Sequence, residues 1–158
     1  MVIFLLITIG WMAMIFFMSA QTADTSSQMS SGISAWVAKL LRPDYQRLPE
    51  AEALAWVDTI TTVIRKLAHF TEYAILGIWL SIDFRFWKND KTRGLIVFPW
   101  LIGSFYAVTD ELHQLFVPGR SGEVFDVMID AGGVLLGCVL VAGTAKMVSG
   151  KAPKEAET

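Results

Sequence analysis

The sequence predicts an all-α fold: a membrane-embedded bundle of four transmembrane helices, with short amphipathic helices in the outer loop between spans 1 and 2. Three observations lead to this prediction. Hydrophobic residues make up 54% of the 158 residues, against about 45–50% in soluble domains. They are gathered into four blocks rather than spread evenly. Each block is close to the ~20 apolar residues that a helix needs to cross a bilayer.

The four predicted spans are residues 2–18, 67–87, 95–116 and 127–148. The first has no charge, lacks a basic region before it and is longer than the apolar core of a signal peptide, so we expect an uncleaved anchor. In the other three, ionisable residues lie near the ends. Helices this apolar on all sides are typical of membrane spans, since in a soluble protein they would need a much larger surrounding structure.

The loop between the first two spans is expected to contain amphipathic helices. Residues 22–31 are polar, and we expect them to be irregular. Apolar residues then recur at helical spacing in two stripes. The helices would lie on the outer leaflet with Trp36 and Trp56 at the headgroups, or pack against the outer mouth of the bundle. The stripes are Ile33, Trp36, Val37, Leu40 and Leu41, then Trp56, Ile60, Val63, Ile64 and Leu67.

Basic residues predict the orientation. Short loops rich in lysine and arginine stay in the cytoplasm, which places both termini inside. Residues 1–150 are predicted to form a single domain and residues 151–158 a flexible polar tail. The basic residues concerned are Arg85, Lys88, Lys91 and Arg93 after the second span, and Lys146, Lys151 and Lys154 near the end.

Composition also excludes several classes of function. The net charge is −2, and without a basic tract this argues against a nucleic-acid partner. Cys138 is the only cysteine, so an intrachain disulfide is impossible, and its apolar neighbours favour a buried, inert thiol. No nucleotide-binding or nucleophile motif is present, and no cofactor is predicted.

Ionisable residues cluster at the predicted outer ends of three spans. Such groups cost several kcal/mol at membrane depth unless paired or wetted, so they mark a candidate site. On each helix, residues three, four or seven apart share a face. Small residues at Gly133 and Gly137 continue the carboxylate face of the last span and predict close packing there. The candidate ligand-binding residues are Lys66, His69, Glu72, Tyr73, Asp110, Glu111, His113, Gln114, Arg120, Asp126 and Asp130.

Several readings of these residues stay open. Arg120 follows a Pro-Gly turn, where its guanidinium can clamp a phosphate or carboxylate, or form an ion pair with Asp126 or Glu72. The side chain of His69 can simply bond Glu72 or a carbonyl oxygen. The set His69, Glu72, Asp110 and His113 supplies the candidates for general acid–base catalysis. The same set offers metal ligands, but its spacing is no specific zinc signature, so no metal is predicted.

Five stretches of the chain resemble the VanZ family of bacterial membrane proteins, and together they reach from the first span to the last. The resemblance implies an integral protein of the bacterial cytoplasmic membrane. The named member of that family is associated with low-level resistance to teicoplanin, a lipid-bearing glycopeptide, and its biochemical activity is undefined. The stretches are residues 15–21 (IFFMSAQ), 65–73 (RKLAHFTEY), 109–114 (TDELHQ), 116–120 (FVPGR) and 126–133 (DVMIDAGG).

We therefore expect an outward-facing polar site that binds an anionic lipid or lipid-linked envelope headgroup. Arg120 and Lys66 would contact the anion, and the histidines and acids would orient it or exchange protons. One alternative is a membrane enzyme acting on a lipid-linked phosphate or acyl substrate. Another is a structural role in which the protein binds a membrane-protein partner or a second copy of itself. A transporter is least expected, because four short spans without visible inverted repeats leave little room for alternating access.

Overall fold

The computed structural model describes residues 2–88 and 94–149, and over these it is all-α. The predicted tail and the basic residues Lys91 and Arg93 lie outside the described residues. The helices are α1 (Val2–Ser19), α2 (Ala23–Leu41), a short 3₁₀ turn (Tyr45–Arg47), α3 (Glu50–Lys88), α4 (Gly94–Gln114) and α5 (Val124–Ser149).

Three of the described helices are long and apolar enough to cross a membrane: Val2–Ser19, Gly94–Gln114 and Val124–Val148. They correspond to the first, third and fourth predicted spans. The second predicted span lies within α3, which is not among the three. Glu72, Asp83 and Arg85 dilute the hydropathy of that stretch, so apolarity alone does not identify it as a span.

α3 is one continuous helix of 39 residues, where the sequence suggested a loop helix followed by a separate span. At 1.5 Å per residue it is about 58 Å long, while the hydrocarbon core of a bilayer is about 30 Å thick. A single crossing would therefore use only about half of it. Its first half contacts α2 through Trp56, and its second half contacts α1 through Glu72, α4 through Ser81 and α5 through Ala74.

α2 begins at Ala23, so the prediction that residues 22–31 are irregular was wrong. The side-chain oxygen of Thr22 accepts a hydrogen bond from the backbone N–H of Thr25 and caps the helix. Ser30 and Ser34 donate their hydroxyl protons to carbonyl oxygens one turn earlier, at 3.2 and 2.9 Å. These bonds accommodate serine within the helix. The helix was missed because serine contributes no apolar periodicity to the sequence.

Most of the apolar stripe of α2 is exposed, since Ile33, Trp36, Leu40 and Leu41 are each at least 60% exposed. Ser34 and Ala38 form the buried face, and the indole N–H of Trp56 on α3 donates to the carbonyl oxygen of Ala38 at 3.2 Å. On the opposite side Trp36 is 65% exposed. Small residues thus hold the α2–α3 hairpin together, and the large apolar residues are left on its surface.

The bundle core lies between α1, the second half of α3, α4 and α5. Its fully buried members include Ile15, Tyr73 and Cys138, so the thiol is buried as predicted. A Cβ atom added at Gly133 or Gly137 would collide with the backbone of α3. The predicted close approach along this glycine face is therefore confirmed, and α3 and α5 run parallel where they meet.

Side-chain N–H and O–H groups also hold the helices in register. Trp11 donates to the carbonyl oxygen of Glu72 at 2.9 Å, Tyr106 to that of Met12 at 2.7 Å, and Trp100 to that of Ala131 at 3.1 Å. Each contact joins two different helices. Such bonds favour one arrangement of the bundle, because a shift of one residue would leave a polar group unpaired in an apolar setting.

Candidate functional site

Polar residues from the middle of α3, the end of α4 and the start of α5 enclose a small cavity of about 50 Å³ at one end of the bundle. The sequence-predicted residues that line it come from all three helices and the α4–α5 turn. This is the convergence expected from the charge pattern. They are Lys66, His69, Glu111, Gln114, Arg120, Asp126 and Asp130, joined by Arg65, Gly119, Ser121, Glu123 and Ile129.

Lys66 is held by carboxylates of α5 and its N-terminal flank. Its ammonium group hydrogen-bonds the carboxylate of Asp126 and lies 3.4 Å from Oε2 of Glu123. The hydrogen bond with Asp126 raises the pKa of Lys66 above its usual value. Because these acids already neutralise Lys66, this geometry does not favour the expected contact between Lys66 and a bound anion.

Arg120 is positioned by neutral oxygen atoms. It follows Gly119, whose φ of +76° allows the tight turn. Its Nε donates to the carbonyl oxygen of Gln21 at 3.0 Å, and one terminal nitrogen donates to Oε1 of Gln114 at 3.3 Å. No carboxylate of the described residues forms an ion pair with it. The suggested pair with Asp126 is therefore wrong, since the partner of Asp126 is Lys66.

Arg65 is a cavity residue that the sequence reasoning missed. Within the described part of the chain it has no hydrogen-bond or ion-pair partner. Burial, and then the positive charge of Arg65, lower the pKa of Arg120, although a guanidinium stays charged in proteins. Arg65 precedes His69 by four residues, so both share one helix face. That spacing is the signal that would have identified it.

Glu111 and Gln114 join separate parts of the chain. Oε2 of Glu111 accepts the backbone N–H of Glu123 at 2.9 Å, which satisfies a free donor at the start of α5. The amide of Gln114 donates to the hydroxyl of Ser19 at 2.9 Å and lies 3.5 Å from Oδ2 of Asp110. These two residues therefore support the shape of the cavity as well as lining it.

Asp130 lines the cavity and is only 1% exposed. Both its carboxylate oxygens lack a hydrogen-bond partner among the described residues, as does Nδ1 of His69. Most buried polar atoms in proteins are paired with protein, water or a ligand. Asp130 and His69 both line the cavity, so their unpaired atoms make them the candidates for contact with a polar ligand.

The other predicted residues lie around the cavity rather than in its lining. Tyr73 and Asp110 are buried behind it, and the ring of His113 packs 4.5 Å from that of Phe16. Glu72 lines a neighbouring cavity instead. No group of three or more metal-ligating side chains that could hold an ion is found among the residues described.

A second, mostly apolar cavity of about 230 Å³ opens beside the first, between the end of α1, α2 and α3. Arg65, His69 and Arg120 line both cavities. The pair therefore offers charged groups next to an apolar space, as an amphiphilic ligand requires. The rest of its lining is Met18, Gln21, Ser26, Met29, Ser30, Ile33, Ile64, Ala68 and Glu72.

Comparison with known proteins gives one informative match. A family model described as VanZ/LLP1 matches residues 4–145, which include every residue lining the two cavities. A search of curated proteins found no significant match, and neither did a search of solved structures. With its three apolar helices, the match identifies a membrane protein.

Proposed function

The chain belongs to the VanZ/LLP1 family, and from this premise we propose that it binds the phosphate of an anionic lipid or lipid-linked headgroup at the outer face of the bacterial cytoplasmic membrane. It would thereby contribute to glycopeptide (teicoplanin) resistance or to envelope homeostasis. The binding site is the charged cavity between α3, α4 and α5, together with the apolar cavity beside it.

The proposal includes a fourth span formed by residues 67–87 of α3. This segment contacts α1 through Glu72 and Asp83, α4 through Ser81 and α5 through Ala74. Its ionisable groups are near its ends, where His69 faces the cavity and Asp83 accepts a hydrogen bond from Thr8 at 2.6 Å. Four spans return the chain to its starting side, so both termini would be cytoplasmic and the cavity would face outward.

The α2–α3 hairpin would then stand at the outer leaflet. The first half of α3 continues beyond the span, and α2 exposes Ile33, Trp36 and Leu40. Amphipathic helices of this kind bury their apolar face at the boundary of headgroups and acyl chains. The hairpin would thus place the second cavity at the depth of lipid tails.

The observation that carries the proposal is the pair of guanidinium groups shared by the two cavities. Neither Arg65 nor Arg120 forms an ion pair with a described carboxylate. Arginine binds phosphate with parallel N–H donors, and two such groups at one opening suit a phosphate ester. His69 and Glu72 would orient the headgroup.

The functional test is glycopeptide susceptibility in a Gram-positive host. Cells would express wild type, Arg65→Ala, Arg120→Ala or the exposed control Arg47→Ala at matched membrane levels. Wild type and Arg47→Ala should raise the inhibitory concentration of teicoplanin more than that of vancomycin. Arg65→Ala and Arg120→Ala should lose most of this effect.

Either of two results would count against the proposal in that host. If expression of the wild-type protein leaves glycopeptide susceptibility unchanged, the protein has no resistance role in that host. Lipid profiling of a deletion strain would then test envelope homeostasis. Full protection by both arginine variants would show that the guanidinium groups are not needed.

Catalysis on a lipid-linked phosphate or acyl group is a second candidate. It is favoured by His69, which lines the cavity and whose Nδ1 has no hydrogen-bond partner among the described residues. A histidine beside carboxylates suits general acid–base chemistry. Turnover of a lipid substrate by purified protein, lost in His69→Ala while lipid binding remains, would support it. Absence of turnover with binding intact would leave the binding function alone.

A structural or partner-binding role is the third candidate. The Lys66–Asp126 pair and the bond from Glu123 to Glu111 connect helices at the cavity. If these contacts only hold the bundle together, cavity variants should disappear from membranes instead of losing lipid. Variants that insert normally and lose lipid would argue against this role.

A further inference from the structure

The lining of the first cavity combines two arginines with a buried acid. Arg65 and Arg120 line both cavities. Asp130 lines only the first, is 1% exposed and has both oxygens unpaired among the described residues. A ligand that suits both kinds of group needs an anionic group for the arginines and a positively charged hydrogen-bond donor for Asp130.

The balance of charge favours the same ligand. The lining contains three cationic side chains, Arg65, Lys66 and Arg120, and four carboxylates, Glu111, Glu123, Asp126 and Asp130. Lys66 is bound by Asp126 and Glu123, so Asp130 has no cation of its own. A purely anionic headgroup would add negative charge and leave this carboxylate unpaired, which is costly at low dielectric.

We propose that the site selects a headgroup with a primary ammonium and a phosphate, as in phosphatidylethanolamine. The ammonium would donate hydrogen bonds to Asp130, the phosphate would bind Arg65 and Arg120, and an acyl chain would enter the apolar cavity. This inference rests on the phosphate binding of the proposed function, and it replaces the purely anionic headgroup with a zwitterionic one.

Size adds a second criterion. A cavity of about 50 Å³ holds one or two water-sized groups. A primary ammonium fits and offers three N–H donors. A trimethylated ammonium is larger and has no N–H to donate, so a choline headgroup should be rejected although its charge is the same.

The test is competition between lipids, read by native mass spectrometry of the full-length protein in detergent. Phosphatidylethanolamine, phosphatidylglycerol and phosphatidylcholine with identical acyl chains would be offered in equal amounts. Wild type should bind the ethanolamine lipid about tenfold more than either competitor, since a hydrogen bond between charged groups is worth about that factor or more. Equal binding of the ethanolamine and glycerol lipids would overturn the inference.

A variant assigns the selectivity to one residue. Asp130→Asn should bring the ratio of ethanolamine to glycerol lipid close to one while still binding phosphatidylglycerol, which also shows that it is folded. Asp58→Asn, an exposed carboxylate outside both cavities, should keep the wild-type ratio. An unchanged ratio in Asp130→Asn would overturn the role of Asp130. If Asp130→Asn does not fold, the three-lipid series on wild type still decides.

Two further experiments distinguish failure of this inference from failure of the proposed function. If Arg65→Ala/Arg120→Ala loses both lipids equally but wild type shows no preference, the proposed function stands and this inference fails. If that double variant loses neither lipid, both fail. Soluble O-phosphoethanolamine that displaces the lipid at equal concentration would show that the apolar cavity contributes nothing and would overturn the lipid assignment.

Discussion

Lys66 and Arg120 carry the same charge at one cavity, yet their partners give them different roles. Lys66 is surrounded by Asp126, Glu123 and the ring of Phe125, 5.5 Å from its nitrogen. Among the described residues, the hydrogen-bond partners of Arg120 are the neutral oxygens of Gln21 and Gln114. The lysine therefore stabilises the junction of α3 and α5, and the arginine keeps its charge available to a ligand.

A double-mutant cycle tests the structural role of Lys66. Lys66→Ala and Asp126→Ala should each destabilise the protein, and the double variant should lose less than the sum of the two. A coupling of about 1 kcal/mol is expected for a pair whose side chains are 25% and 22% exposed. Reversible unfolding in mild detergent measures it. Strictly additive losses would mean that the two residues act independently.

The sequence predicts which of these side chains group together but not which of them pair. Asp126 and Asp130 were placed on one face because helical spacing fixes which side chains share a face. His69 was grouped with them because it lies at the same predicted outer end of its own span. The partner of Asp126 could not be inferred, since Lys66 and Arg120 are equally plausible along the chain. Only the parallel packing of α3 on α5 brings Lys66 to it.

Among the helices, α3 and α5 form the closest contact. The backbone of α5 at Gly137 approaches that of α3 at Ala74 so closely that no Cβ fits between them. Gly143, two turns further along α5, has open space around it. The two glycines share a helix but differ in their surroundings, which makes them a matched pair.

Gly137→Ala should destabilise the bundle by about 1–3 kcal/mol, because an added methyl group must push the helices apart. Gly143→Ala should be neutral or slightly stabilising, since alanine favours a helix where space permits. Unfolding of both variants under the same conditions measures the difference. Equal stability of the two would contradict the close approach of α3 and α5.

The apolar helices were predictable to within a few residues, because length and continuous hydropathy identify them without tertiary information. α2 and α3 were not. The first turns of α2 are serine-rich, and they are held by the Thr22 cap and by a bond from the N–H of Ala23 to the carbonyl oxygen of Pro118. The second apolar stripe ends at Leu67, where the second predicted span begins, so the sequence places the two next to each other but does not show that one unbroken helix joins them.

For the whole molecule, the topology depends on whether α3 crosses the membrane. If it does, α2 and the C-terminal end of α3 lie on opposite sides of the membrane. If it does not, both lie on the same side. Both termini can be cytoplasmic only in the first case, because three spans would leave them on opposite sides of the membrane.

Thiol labelling in intact cells distinguishes the two topologies. In a Cys138→Ser background, Ser27→Cys on α2 should react with a membrane-impermeant maleimide. Arg85→Cys near the end of α3 should react only after the membrane is permeabilised. Labelling of both positions in intact cells would contradict a fourth span within residues 67–87.

The central claim is that Arg65 and Arg120 together bind a phosphate-bearing headgroup. Its most direct test is the Kd of a short-chain phospholipid for purified wild type, Arg65→Ala/Arg120→Ala and the control Arg47→Ala, measured by calorimetry. We expect the double variant to bind at least about tenfold more weakly, since each lost charge-assisted hydrogen bond costs more than a neutral one, and Arg47→Ala to bind like wild type. An unchanged Kd in a folded double variant would contradict the account.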